Sequence, residues 1–171
     1  MVSYMGNWLT NEVQKYIEKE DTILDLGCGI MSVSDKVICK SILALDVWED
    51  YLEKIKSKFM TIKLDVRFLN IFIDKSYDIV MALDLVEHLE KHEAKFLIKQ
   101  MERIARKKVI IFTPNGFFPQ KDGIENTWAY GNPKYQKHKC GFFQDELESF
   151  GFKTELFGIN NSEMLAVKVL E

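Results

Sequence analysis

The segment Thr22-Ile23-Leu24-Asp25-Leu26-Gly27-Cys28-Gly29 carries the strongest chemical signal in this chain. A short apolar run ends in an acid and then turns through two glycines spaced one apart. A buried parallel strand that stops at a ligand has this form. The backbone must turn sharply at Gly27 and admit another molecule at Gly29, and a residue without a Cβ does both at little cost. A second apolar run, Ile42-Leu43-Ala44-Leu45, ends in Asp46, 21 residues after Asp25. An acid at the tip of the second strand of such a unit is where a ribose diol is held. A third run, Met60 to Leu64, ends in Asp65. Three carboxylates converging on one crevice suit a ligand with several donors and a positive charge. They do not suit a pyrophosphate, which seeks backbone amides and a helix N-terminus. Ser32 stands where a dinucleotide fingerprint has its third glycine, which disfavours a dinucleotide-dependent dehydrogenase.

The elements that must position these acids read as alternating strands and helices. A first helix, capped at Asn7 and carrying Leu9, Val13, Tyr16 and Ile17 on one side, lies within residues 1–20. Strands are expected at about Thr22–Leu26, Ile42–Asp46, Met60–Leu64, Tyr77–Leu83 and Lys108–Thr113. A short helix follows Ser32, and Tyr51, Leu52 and Ile55 mark another. A long helix runs from about Glu87 to Ala105 with Leu97, Met101, Ile104 and Ala105 buried. A last helix, about Asp145–Phe150, precedes two closing strands at about Lys153–Phe157 and Met164–Leu170. Near-continuous apolar strands alternating with helices predict a parallel sheet covered on both faces.

Bulk properties fit a single domain over residues 1–171. The chain is 47% hydrophobic and 29% charged, with a net charge of −3. No global positive field draws in nucleic acid. No stretch is apolar enough to span a membrane, and the N-terminus lacks a signal-peptide pattern. The three cysteines, Cys28, Cys39 and Cys140, form no C-x-x-C pair, which predicts reduced thiols in a cytoplasmic protein rather than a disulfide frame or a zinc site. All three prolines and four of the nine glycines fall between Pro114 and Gly141. A loop this long in a compact domain is usually functional, and its aromatic residues argue against disorder.

The order of these features resembles the class I S-adenosylmethionine-dependent methyltransferases, from about Thr22 to Phe152. The resemblance rests on Leu24-Asp25-Leu26-Gly27-Cys28-Gly29, Ala44-Leu45-Asp46, Leu64-Asp65 and Ser76-Tyr77-Asp78-Ile79-Val80. It continues through Val86-Glu87-His88-Leu89, Phe112-Thr113-Pro114-Asn115 and Glu146-Leu147 with Gly151-Phe152. It implies a Rossmann-like three-layer α/β/α sandwich around a mostly parallel seven-stranded sheet, with one antiparallel strand near the C-terminus. S-adenosyl-L-methionine is the implied cofactor and S-adenosyl-L-homocysteine the product.

The resemblance also assigns roles. Gly27, Cys28 and Gly29 form the turn against the methionine portion and ribose, the Cys28 thiol serving packing. Asp25 helps hold the cationic methionine end, directly or through water. Asp46 takes both ribose hydroxyls, Val47 packs on the adenine, and Asp65 accepts from its amino group. Leu83 and Asp84 lie beside the amino-acid end and the sulfonium. Met31 departs from the family's recurring third glycine, and its bulk is expected to alter how the following short helix approaches the cofactor.

Methyl transfer from a sulfonium needs alignment more than acid–base help, so a general base is optional. His88 sits just beyond the fourth strand, either at the crevice or as a structural residue at a helix start. His138, at the end of the long loop, either reaches the acceptor pocket or packs within the loop. His92, four residues after His88, shares a helical face with it, but a metal pair there lacks a third ligand, so no metal is expected. Asn115 either orients the acceptor or makes a turn. The loop over residues 116–141, with Trp128 and Tyr130, is the expected acceptor-site element. The DNA-adenine motif Asn/Asp-Pro-Pro-aromatic is absent after strand four, where Leu83-Asp84-Leu85-Val86 stands. No Pro-Cys nucleophile appears, which disfavours methylation at cytosine C5. A small-molecule acceptor is therefore favoured over nucleic acid. A non-catalytic cofactor-binding subunit and an RNA methyltransferase stand as alternatives.

Overall fold

The computed structural model describes residues 2–119 and 135–171, with side chains from residue 8 onward. Trp128 and Tyr130 lie outside the described residues. Seven strands form one sheet in the order β3-β2-β1-β4-β5-β7-β6. They are β1 (Thr22–Leu26), β2 (Ser41–Asp46), β3 (Met60–Lys63), β4 (Tyr77–Leu83), β5 (Ala105–Pro114), β6 (Lys153–Phe157) and β7 (Glu163–Val169). Pairing is parallel from β3 through β5, and β7 runs antiparallel to both β5 and β6. The chain reverses its winding between β1 and β4, which opens a crevice at the carboxyl ends of those strands.

The strands are apolar at successive positions because each is buried on both faces, and the pleat sends alternate residues to opposite layers. On one face Leu24, Val80, Ala82, Val109 and Ile111 pack with Leu97, Met101 and Ile104 of α3 (Lys91–Ile104). On the other, Ile23, Ile79, Met81, Ile110 and Phe112 pack with Leu9 and Val13 of α1 (Val2–Gln14) and with Ile17. Trp8 closes this layer edge-on against Phe157, ring centroids 4.6 Å apart. The helices α2 (Glu49–Ile55) and α4 (Gln144–Ser149) complete the layers, burying Tyr51, Leu52 and Ile55 in the first and Leu147 in the second.

Several boundaries differ from the sequence expectation, among them β5, which begins at Ala105, a residue expected in the preceding helix. Asn7 is not a cap: the backbone is already helical from Val2, whereas an N-cap needs a non-helical residue at the helix edge. Tyr16 and Ile17 lie past that helix, in turns closed on Val13 and Gln14. The helix expected from Glu87 is divided. Val86–His88 form a single 3₁₀ turn, Leu89 and Glu90 are extended, and α3 begins at Lys91. The Glu93 carboxylate accepts the Glu90 backbone N–H at 3.1 Å, the reciprocal arm of a capping box, which fixes the start there.

At the amino ends of the strands, acids are tied to bases. Lys107 Nζ lies 2.6 Å from Asp21, and Asp78 receives the Thr22 N–H at 2.9 Å, the Thr22 hydroxyl at 2.8 Å and the Arg106 guanidinium at 3.2 Å. Burial alone raises the Asp78 carboxyl, but the Thr22 and Arg106 bonds outweigh it and hold it well below the usual carboxylate range. A depressed carboxylate contributes stability that is present above its unfolded value of about 3.9 and is lost as pH falls through the folded one. Asp78→Asn is therefore expected to cost about 1.5–3 kcal/mol at pH 7, with the gap to wild type narrowing below about pH 4. Urea unfolding at both pH values measures this, and a gap that is constant with pH contradicts it.

Candidate active site

A cleft opens at the carboxyl ends of β1, β2, β3 and β4. Gly27 and Gly29 form its floor at φ +63° and +53°. The two glycines are needed for different reasons. A Cβ on Gly27 would stand 2.6 Å from the Leu85 side chain, whereas one on Gly29 would meet nothing within 4 Å. Gly27 makes room for the protein, and Gly29 faces open space in the cleft.

Asp46 is held from both sides. The Gly29 N–H donates to Oδ2 at 2.9 Å and the Trp48 N–H to Oδ1 at 2.8 Å. Burial raises the Asp46 carboxyl, and the N–H groups of Trp48, Gly29 and Val47 oppose that rise. Asp46 and Val47 both line the cleft. Asp65 lines it too, and caps the 3₁₀ segment Val66–Ile71 by accepting the Arg67 N–H at 3.0 Å. The Arg67 guanidinium, 2.5 Å from Asp65, holds its carboxyl below the ordinary range.

Asp25 is 2% exposed and does not line the cleft. It accepts the Ser34 hydroxyl at 2.5 Å beneath the glycine turn, and burial pushes its carboxyl up to about 7 against that bond. Cys28, three residues further on, faces the layer of Met31, Ala44, Leu52 and Ile55, where burial raises the thiol. Met31, 1% exposed, also points into this layer and away from the cleft. Its backbone takes the left-handed φ of +57° that a glycine there provides. The bulk expected to disturb the cofactor side is thus absorbed by the core.

After β4, Leu83 packs toward the α1 layer, while Asp84 and Leu85 line the cleft. Asp84 adopts φ +54°, its N–H donating to the Phe112 carbonyl at 2.9 Å. It is open to solvent at the cleft but walled by protein, and burial together with Glu163 raises its carboxyl. Asn115 stands outside the cleft: its N–H donates to Ser162 and its amide to Asn161 O at 3.1 Å.

His88 lines the cleft and meets His138 edge-on, ring centroids 4.9 Å apart. The long loop is pinned where it leaves and returns. The Gly116 N–H donates to Phe142 at 2.7 Å, and the N–H groups of Lys139 and Cys140 converge on the Glu87 carbonyl. That anchorage carries His138 to His88. Burial pushes the His88 imidazole down to about 4, with the neighbouring His138 adding to the effect, and burial lowers His138 as well. His92 is exposed on α3. Sequence reasoning missed Leu85 and Tyr135, which signal themselves only through packing. It also missed Arg67 at the cleft wall, although an arginine two residues after a strand-end acid is a readable pairing signal.

The sequence matches the methyltransferase-domain family over residues 24–113. This chain belongs to the class I S-adenosylmethionine-dependent methyltransferase family. Similar solved structures include a SAM-dependent methyltransferase from Archaeoglobus fulgidus, 18% identical with a TM-score of 0.68, covering 96% of this chain and 94% of that one. Magnesium protoporphyrin IX methyltransferase from Synechocystis PCC 6803 with bound S-adenosylhomocysteine is 17% identical with a TM-score of 0.64, covering 99% and 82%. The small RNA methyltransferase HEN1 is 16% identical with a TM-score of 0.65, over 96% of this chain and 25% of that one. Comparison with curated protein sequences gave no match.

The two glycines make separable predictions. Gly29→Ala adds only left-handed strain of about 1–2 kcal/mol, while Gly27→Ala adds to the same strain an overpacking cost of about 1–3 kcal/mol against Leu85. Thermal unfolding is expected to rank Gly27→Ala below Gly29→Ala, and equal losses contradict the assignment.

Proposed function

We propose that this methyltransferase acts on a small-molecule acceptor, bound beside the cofactor and enclosed by the arm Tyr135–Lys139 of its own long loop. The observation that carries the proposal is the cleft's charge. Asp46, Asp65, Asp84 and Glu93 line it against Arg67 and Lys139, so it repels a polyanion rather than gathering one. A compact, uncharged or cationic acceptor suits it.

When bound, S-adenosylmethionine supplies a methyl group already activated by its sulfonium. The residues present fit that group. The open space at Gly29 adjoins the buried, N–H-anchored carboxylate of Asp46, which is oriented to accept two hydroxyl donors. In this proposal Asp46 holds the ribose, Val47 covers the adenine and Asp65 accepts from its amino group. Arg67 fixes the orientation of Asp65. Gly27 and Gly29 bring the backbone against the methionine portion, with Asp84 and Leu85 beside it. Asp25, tied to Ser34, acts from below by holding the turn in shape rather than by direct contact. In this proposal the acceptor lies against His88 at the cleft wall, with the His138 ring packed edge-on behind it. Alignment of this kind is worth on the order of 7–11 kcal/mol in favourable cases.

Incubating the protein with extract and S-adenosylmethionine carrying a labelled methyl tests the proposal. Label is expected in the low-molecular-weight fraction. Label recovered in RNA overturns the small-molecule acceptor, and bound cofactor with no label transferred to any fraction overturns catalysis.

A further inference from the structure

Glu87 is 2% exposed and lies outside the cofactor assignments above, yet it faces His88, which lines the cleft, and His138, which packs behind it. The ligand atoms of Glu87, His88 and His138 all lie within 4.8 Å of one another. We propose that these three side chains form a binding site for a divalent cation of the manganese or zinc type, adjoining the cleft at His88. Two imidazole nitrogens and one carboxylate oxygen are a donor set for that class of ion rather than for a soft thiolate-seeking one. Ligand bonds of about 2.0–2.2 Å require ligand separations of roughly 3–4 Å, so a contraction of less than about 1 Å closes the shell.

Each ligand is oriented from behind, as metal ligands characteristically are. The Thr113 hydroxyl, fully buried, donates to Glu87 Oε2 at 3.0 Å. His138 Nδ1 lies 2.7 Å from the Phe118 carbonyl and His88 Nδ1 lies 3.4 Å from the Lys137 carbonyl. A carbonyl accepts only, so at His138 Nδ1 carries the proton and the lone pair falls on Nε2, while His88 is held by the backbone of both Lys137 and Gln136. The same backbone that anchors the loop on Glu87 supplies one of these carbonyls and positions the third ligand.

The charge balance points the same way. Among the described residues no lysine or arginine side chain pairs with Asp84 or Glu87, in contrast to Asp21 and Asp78 at the other end of the sheet. Burial raises the Glu87 carboxyl, with the Asp84 charge adding to it, so the pocket holds two acids that a cation stabilises. No metal was expected from the sequence because His88 and His92 lacked a third partner. His92 is exposed on α3 and takes no part; His138, 50 residues downstream of His88, stands beside Glu87 and His88 instead.

Resting on the proposed small-molecule methylation, the site makes an acceptor hydroxyl the favoured substrate group. A hydroxyl oxygen drawn to the cation is more acidic and is fixed in the cleft. The oxygen–methyl bond forms as the carbon–sulfur bond breaks, the sulfonium leaves as a neutral thioether, and the hydroxyl proton passes to solvent.

The test is calorimetric titration of chelator-treated full-length protein with manganese and with zinc, run beside titration with S-adenosylhomocysteine. One equivalent of cation is expected to bind. Glu87→Gln and His138→Ala are each expected to weaken it at least about tenfold, and Thr113→Val about tenfold, the scale of losing an outer-shell partner. S-adenosylhomocysteine affinity is expected to stay within about threefold in all three variants, with unchanged circular dichroism. Thr113→Val and Glu87→Gln preserve side-chain volume, so a fold loss in His138→Ala does not remove the comparison. Wild type that binds neither ion, or variants that bind like wild type, overturn the cation site while retained S-adenosylhomocysteine binding leaves the methyltransferase assignment standing. Wild type that fails to bind S-adenosylhomocysteine overturns that assignment instead.

Discussion

The hydrogen bond from the Gly29 N–H to the Asp46 carboxylate is the constraint on which the cofactor side depends. It ties the turn after β1 to the tip of β2, and the Trp48 N–H holds the other oxygen. A carboxylate that is 6% exposed must be hydrogen-bonded to remain charged. Backbone N–H groups satisfy it without a neutralising cation, so its outer lone pairs keep their charge for a ligand. The same interaction requires the left-handed turn at Gly27 and Gly29, and that turn in turn needs Leu85 to fill the space a Cβ is denied.

The sheet sorts its acids by end. At the amino ends, Asp21 and Asp78 are neutralised by Lys107 and Arg106, an arrangement that serves stability. At the carboxyl ends, Asp25 and Asp46 are held by a hydroxyl and by backbone N–H groups. Asp65, paired with Arg67, is the intermediate case: the base orients it while leaving it on the cleft wall. Charges left without a compensating base in a parallel sheet are costly, and their concentration at the winding reversal is what a cationic, donor-rich ligand offsets.

The strand tips were legible in the sequence because parallel strands buried on both faces announce themselves as apolar runs, and an acid that ends such a run has few other uses. Tyr77–Leu83 and Thr22–Leu26 were expected with the boundaries they have. The long helix was placed too early, because its apolar stripe of Leu97, Met101, Ile104 and Ala105 marks the buried face but not where the helix begins. Only the Glu93-to-Glu90 bond shows that the helix starts after Val86, Glu87 and His88. At Met31 the motif position gave the residue but not the direction of its side chain, which turns into the α2 layer. The juxtaposition of Glu87, His88 and His138 was illegible since it depends on where a long loop returns, and hydrogen bonds from Lys139 and Cys140 to Glu87 decide that.

The central claim is that an N–H-anchored Asp46 holds the ribose of the cofactor. Calorimetric titration of wild type and Asp46→Ala with S-adenosylhomocysteine, on samples matched by circular dichroism, tests it most directly. A lost charged hydrogen bond is worth about 1.5–3 kcal/mol, so affinity is predicted to fall at least about tenfold. Equal affinity in the two proteins contradicts the account.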